Sequence, residues 1–107
     1  MLSICIITNS KKSLILNLSY LLKDLQESNL LKNIQLCLHI NGEEINNSEI
    51  LLLSKLKIKH KTSFSIRKQT FQESYYSAVS LATEKYILVL GDTDKIIFKN
   101  LENFFED

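Results

Sequence analysis

Short apolar runs alternate with longer segments of helical spacing along this whole chain, and that alternation constrains its fold more than any other feature. Ser3 to Thr8, SICIIT, is a continuous β-branched and apolar run and reads as a buried strand. Leu14, Leu18, Leu21, Leu22 and Leu25 recur at the spacing of an amphipathic helix, with Ser10 as N-cap and an end near Ser28 and Asn29. Ile34 to Ile40 reads as a second strand, closed by Asn41 and Gly42. Strand, helix and strand in this order make a βαβ unit, whose parallel crossover is almost always right-handed. Glu43 to Ser48 is a polar loop leading to a helix that carries Ile50 to Leu53 and Leu56. Lys57 to Lys61, KIKHK, suits a third strand at the sheet edge, where lysines discourage pairing with other chains. Phe71, Tyr75, Ala78, Val79 and Ala82 are spaced for a helix with one face on the sheet, and Tyr86 to Leu90 is a fourth strand. Ile96, Ile97, Leu101, Phe104 and Phe105 form a last helical set. The expected fold is α/β: a three-layer αβα arrangement around a mainly parallel, Rossmann-like sheet, with strands near 3–8, 35–40, 57–61 and 86–90.

Composition narrows the function classes. The 107 residues make a single domain, 1–107, with 13 basic and 12 acidic side chains and a net charge of +1, so bulk electrostatics gives no argument for a nucleic-acid partner. No apolar run approaches the ~18 residues that span a bilayer. Met-Leu-Ser-Ile-Cys at the start lacks the basic region and cleavage site of a secretory signal, so the expected location is cytoplasmic, the inner membrane face included. Cys5 and Cys37 lie in strand-like runs without a Cys-x-x-Cys or Cys/His cluster; neighbouring strands could bring the thiols together, and both are expected reduced. There is no proline, and Gly42 and Gly91 are the two glycines, which excludes a glycine-rich dinucleotide fingerprint and a Walker loop. His39 and His60 have no partner at ligand spacing and receive no role. Lys57, Lys59, Lys61, Arg67 and Lys68 could meet phosphate but read first as a solvated edge.

Tyr86 to Asp94, YILVLGDTD, is the stretch that carries chemistry. The apolar run predicts a central strand buried on both faces. Gly91 then permits a turn, and Asp92 and Asp94 follow just past the strand's carboxyl end, where open α/β sheets bind ligands. Two carboxylates at this spacing repel each other unless a cation joins them, and Mg²⁺ or Mn²⁺ prefers oxygen ligands. A purely structural reading stands beside this one: one aspartate caps a helix starting near Lys95 and the other makes a turn.

In order and spacing the chain resembles the N-terminal half of a family 2 glycosyltransferase of the GT-A fold. SICIITNS is similar to the family's opening strand, S-I-x-I-P-T-Y-N. ATEKYILVLGDTDKI resembles A-x-G-x-Y-I-x-x-L-G-D-D-D-x-(I/L), and NLENFF continues like the helix that follows. The resemblance implies transfer of a sugar from a nucleotide-diphosphate donor to a glycan or lipid-linked acceptor, with Mn²⁺ or Mg²⁺ as cofactor. Carried over by position, Asp92 and Asp94 are the metal ligands, Asp94 the more direct one, and Asp92 also belongs to the nucleotide site. Thr8 and Asn9 would line the nucleoside pocket. Where family members often carry an aspartate for the base, this chain has Ile40 or Asn41, and Asn41 is the candidate contact. Tyr75 and Tyr76 stand where Arg-Asn is frequent, Glu84 replaces a glycine, and Thr93 replaces the middle aspartate.

The acceptor half and its general base are absent from these residues. A base contributes ~10²–10⁴-fold to such transfers, so the truncated GT-A domain alone is expected not to turn over a sugar nucleotide. It is also expected to expose apolar surface and self-associate. Two alternatives stay open: a non-catalytic nucleotide-binding module, and an α/β protein-interaction domain in which both aspartates are structural.

Overall fold

The structure, a computed structural model, describes residues 1–28, 30–46, 48–49 and 58–91. In chain order these form strand β1 (Leu2–Thr8), helix α1 (Lys11–Ser28), a 3-10 turn (Leu31–Asn33), strand β2 (Ile34–Asn41), strand β3 (Lys59–Ser65), helix α2 (Phe71–Val79) and strand β4 (Tyr86–Gly91). The strands lie in the order β3-β2-β1-β4, and every pairing is parallel. The expected helices around Ile50–Leu56 and Ile96–Phe105, and both Asp92 and Asp94, fall outside the described residues.

The two helices cover opposite faces of the sheet. Because side chains alternate along a strand, the register sorts them without ambiguity. Leu2, Ile4 and Ile6 of β1 and Ile34, Leu36, Leu38 and Ile40 of β2 share a core with Leu14, Leu18, Leu22 and Leu25 of α1. Cys5 and Cys37, direct partners on adjacent strands, point the other way and pack with Ala78 of α2 and with Leu81, Ala82 and Val89. This is the three-layer αβα arrangement that the alternating pattern predicts.

Local chemistry explains where α1 begins and how β2 ends. Ser10 accepts the Ser13 amide at 3.3 Å on its hydroxyl, and its carbonyl accepts the Leu14 amide at 3.0 Å, which fixes the first turn of α1. Gly42 closes β2 with φ +87°, a conformation that costs other residues steric strain, and its amide donates to the Ser65 carbonyl at 2.7 Å.

Three expectations need correction. The third strand runs over 59–65, not 57–61: each residue from Lys59 to Ser65 pairs in register with Gln35 to Asn41, and the polar stretch Thr62-Ser63 hid this extension. It does lie at the edge of the described sheet. Among the described residues β4 is the outer strand beside β1, and Tyr86 and Ile87 are 47% and 45% exposed, so the central, doubly covered strands are β1 and β2. An apolar run signals a strand without giving its rank in the sheet. Helix α2 rests on Ser74 and Ala78, whereas Phe71 and Tyr75, expected on the packing face, turn outward. No helix among the described residues is long and apolar enough to cross a membrane.

Candidate functional site

The polar composition of β2 begins to make sense on the α2 face of the sheet. Gln35, His39 and Asn41 alternate with aliphatic residues, yet all eight residues of the strand are buried. Each polar side chain therefore needs a partner inside the protein. His39 Nε2 lies 2.7 Å from Gln69 Oε1, and Nδ1 lies 2.8 Å from Ser63 Oγ. An amide oxygen can only accept, so Nε2 carries the proton and Nδ1 takes the Ser63 hydroxyl. Ser74 of α2 donates to the same Gln69 oxygen at 3.2 Å. The segment ahead of α2 is thereby fastened to the sheet through one glutamine.

Asn41, at the carboxyl end of β2, completes the fastening. Its Oδ1 accepts the Gln69 amide at 2.6 Å and the Ser65 hydroxyl at 3.4 Å. Its Nδ2 donates to the Gln69 carbonyl and to Asn9 Oδ1, both at 3.1 Å. One side chain so joins the loop after β1, the end of β3 and the entrance to α2. Thr8 shapes the loop after β1: its hydroxyl accepts the Ser10 amide and donates to the Ser10 carbonyl, both at 3.0 Å.

These groups surround a cleft of about 510 Å³ at the carboxyl edge of the sheet. Ile7, Thr8 and Asn9 form one wall, Val89, Leu90 and Gly91 another, and Asn41, Lys68, Gln69, Phe71 and Ser74 the third. Of the residues expected in a nucleoside pocket, Thr8, Asn9 and Asn41 come together here. Gly91, which immediately precedes Asp92 in the sequence, also lines the cleft. Among the described residues no three metal-ligating side chains cluster. Sequence reasoning did not assign Gln69, Phe71 or Ser74 to a site, and nothing in their local pattern marks them. Lys68, which its charged neighbourhood in the sequence assigns to a solvated edge, borders the cleft.

The electrostatics of the cleft are asymmetric. At the entrance to α2, Thr70 Oγ1 accepts the Glu73 amide at 3.2 Å, and Glu73 Oε1 accepts the Thr70 amide at 3.1 Å. This capping box occupies the helix N-terminus with the chain's own carboxylate. The hydrogen bonds from Thr70 hold the Glu73 carboxyl below its ordinary range, with a smaller contribution from Arg67. Beneath the cleft, the Cys5 thiol is pushed far above its ordinary range, first by its hydrogen bond with Cys37 and then by burial. A buried protonated thiol is inert, so Cys5 belongs to the packing and not to the chemistry.

A second hollow, of about 290 Å³, lies along α1 between Leu14, Leu18, Leu22, Ile40 and Ile45. Most of its wall area is aliphatic, and Lys11, Ser19, Lys23, Gln26 and Glu49 also line it. No family model, no curated protein and no solved structure matches this chain.

Proposed function

We propose that this chain is the nucleotide-binding part of a glycosyltransferase, taking a nucleotide-diphosphate sugar into the cleft at the carboxyl ends of β1 and β4. The observation that carries this reading is the position of the cleft. The chain steps from β1 through β2 to β3 on one side and then returns to place β4 on the other side of β1. Ligands of open parallel sheets bind outside the strand ends where the order reverses in this way. Here both strands flanking the reversal, β1 and β4, contribute walls.

Within this reading each residue has a defined task. Thr8 and Asn41 fix the loops, Asn9 faces the nucleoside, and Lys68, with no ion-pair partner among the described residues, favours an anionic ligand. Asp92 and Asp94 would hold Mn²⁺ or Mg²⁺, which supplies Lewis-acid stabilisation to the departing diphosphate. The acceptor, a glycan or lipid-linked group, would bind to parts of the protein beyond these residues, and the reaction would belong to the cytoplasm.

Calorimetry with UDP and GDP, with and without Mn²⁺, tests the reading. Nucleotide binding strengthened by Mn²⁺ and lost in Asp94→Ala is the expected result. Equal affinity with and without metal, or an Asp94→Ala variant that binds like the parent, would overturn the metal-diphosphate assignment. Metal-dependent binding by a longer protein that transfers no sugar would favour the non-catalytic alternative.

A further inference from the structure

The cleft contains one side chain whose placement the fold does not explain. Phe71 is 73% exposed, although its helix offers it a turn of the same face that buries Ser74 and Ala78. It lines the cleft, and Tyr75 backs it one helical turn later, with ring centroids 6.2 Å apart and planes tilted by 43°. The Thr70–Glu73 capping box fixes the backbone on which it sits. An aromatic ring held in this way, with an open face beside a cleft, is a stacking platform.

The polar groups of the same cleft lead to the same conclusion from the other side. All four hydrogen bonds that the Asn41 amide makes go to the protein itself. The Gln69 carbonyl oxygen is taken by His39 and Ser74. The Asn41 amide and the Gln69 oxygen therefore hold the walls and are not free to read the edge of a base. The helix N-terminus already carries the Glu73 carboxylate, so on this wall the group that attracts an anion is Lys68 and not the helix end.

We infer that Phe71 is the base-stacking residue of the nucleotide site: it stacks on the base and contributes affinity with little preference for which base is bound, with the diphosphate directed toward the β4 end. This inference rests on the nucleotide reading above. Every base presents a π-face, whereas discrimination needs hydrogen bonds at the ring edge, and the Asn41 amide and the Gln69 side-chain oxygen are already engaged.

The test titrates UDP, GDP and inorganic pyrophosphate, each with Mn²⁺, into the parent chain, Phe71→Ala and Phe71→Tyr. The expected result is UDP and GDP affinities within about tenfold of each other, both lost by roughly tenfold or more in Phe71→Ala and restored in Phe71→Tyr. Pyrophosphate binding stays unchanged in both variants. The ring is mostly exposed, so thermal unfolding of Phe71→Ala should match the parent and separate a lost contact from a lost fold. Nucleotides that bind the parent but ignore Phe71→Ala, or a UDP-to-GDP ratio beyond about a hundredfold, would overturn the stacking role and leave the nucleotide reading intact. A parent chain that binds neither nucleotide would overturn both.

Discussion

The two faces of the central strands are both largely buried and chemically opposite. Toward α1, strands β1 and β2 present Leu2, Ile4, Ile6, Ile34, Leu36, Leu38 and Ile40. Toward α2, the same two strands present Ser3, Cys5, Gln35, Cys37, His39 and Asn41, all buried as well. Burial of apolar area is non-directional and worth ~1.5–3 kcal/mol for each large side chain, so the α1 face supplies stability and says little about geometry. Hydrogen bonds contribute less net energy but demand particular partners at particular distances. The α2 face thus contributes placement: it locks the loops that wall the cleft.

If this division is right, the largest loss comes from the aliphatic face. Leu38→Ala, at a fully buried site, is expected to cost about 2–5 kcal/mol, read as a lower urea midpoint. The shape of the cleft in the surviving folded fraction should be little changed. A loss below about 1 kcal/mol would mean that α1 packs loosely, and the contrast between the faces would weaken.

An intermediate loss is expected on the polar face. Asn41→Ala leaves the Gln69 amide and carbonyl without their side-chain partner, a cost of roughly 1–3 kcal/mol. Unlike the leucine variant, it should speed hydrogen exchange at Gln69 and weaken nucleotide binding together. Unchanged exchange at Gln69 would show that the loop is held by other contacts.

The smallest effects lie at the entrance to α2. Thr70→Ala removes the cap and is expected to cost about 1 kcal/mol. Glu73 adds a pH dependence. Its folded-state carboxyl lies below its unfolded value, so its contribution is present above the unfolded value and fades as pH falls through the folded one. The stability difference between the parent and Glu73→Gln should accordingly shrink in acid. A difference that holds constant across that range would assign the box to hydrogen-bond geometry alone.

The same contrast explains what could be read in the sequence. Leucines at helical spacing fixed α1 to within a few residues; β1 and β4 follow from apolar runs, and β2 from aliphatic residues at every second position. The polar face was illegible for a physical reason. Ile34 to Asn41, IQLCLHIN, alternates apolar and polar residues, which is the pattern of a strand with one wet face. Only the partners, Ser63, Gln69 and Thr83, turn those polar positions into interior ones, and they lie 24 to 48 residues away. Phe71 and Tyr75 misled in the opposite sense, because aromatic residues at helical spacing read as core. Thr8, Asn9 and Asn41 could be placed at strand ends, but that they share one cleft depends on β1 and β2 being neighbours.

The pairing of β4 with β1 also sets an order of events. The Glu84 amide donates to the Ser3 hydroxyl across 81 positions, and the ladder beside it joins Leu2 to Tyr86. The βαβ unit can assemble from local contacts while the chain is still being made, but β1 is then paired on one side only. About fifty residues separate the end of β2 from the end of β4. At ~5–20 residues per second, roughly 3–10 s of synthesis pass before β1 can complete its second ladder. Through that interval β1, a strand almost wholly buried in the finished domain, presents an open edge, the kind of surface on which growing chains misassemble.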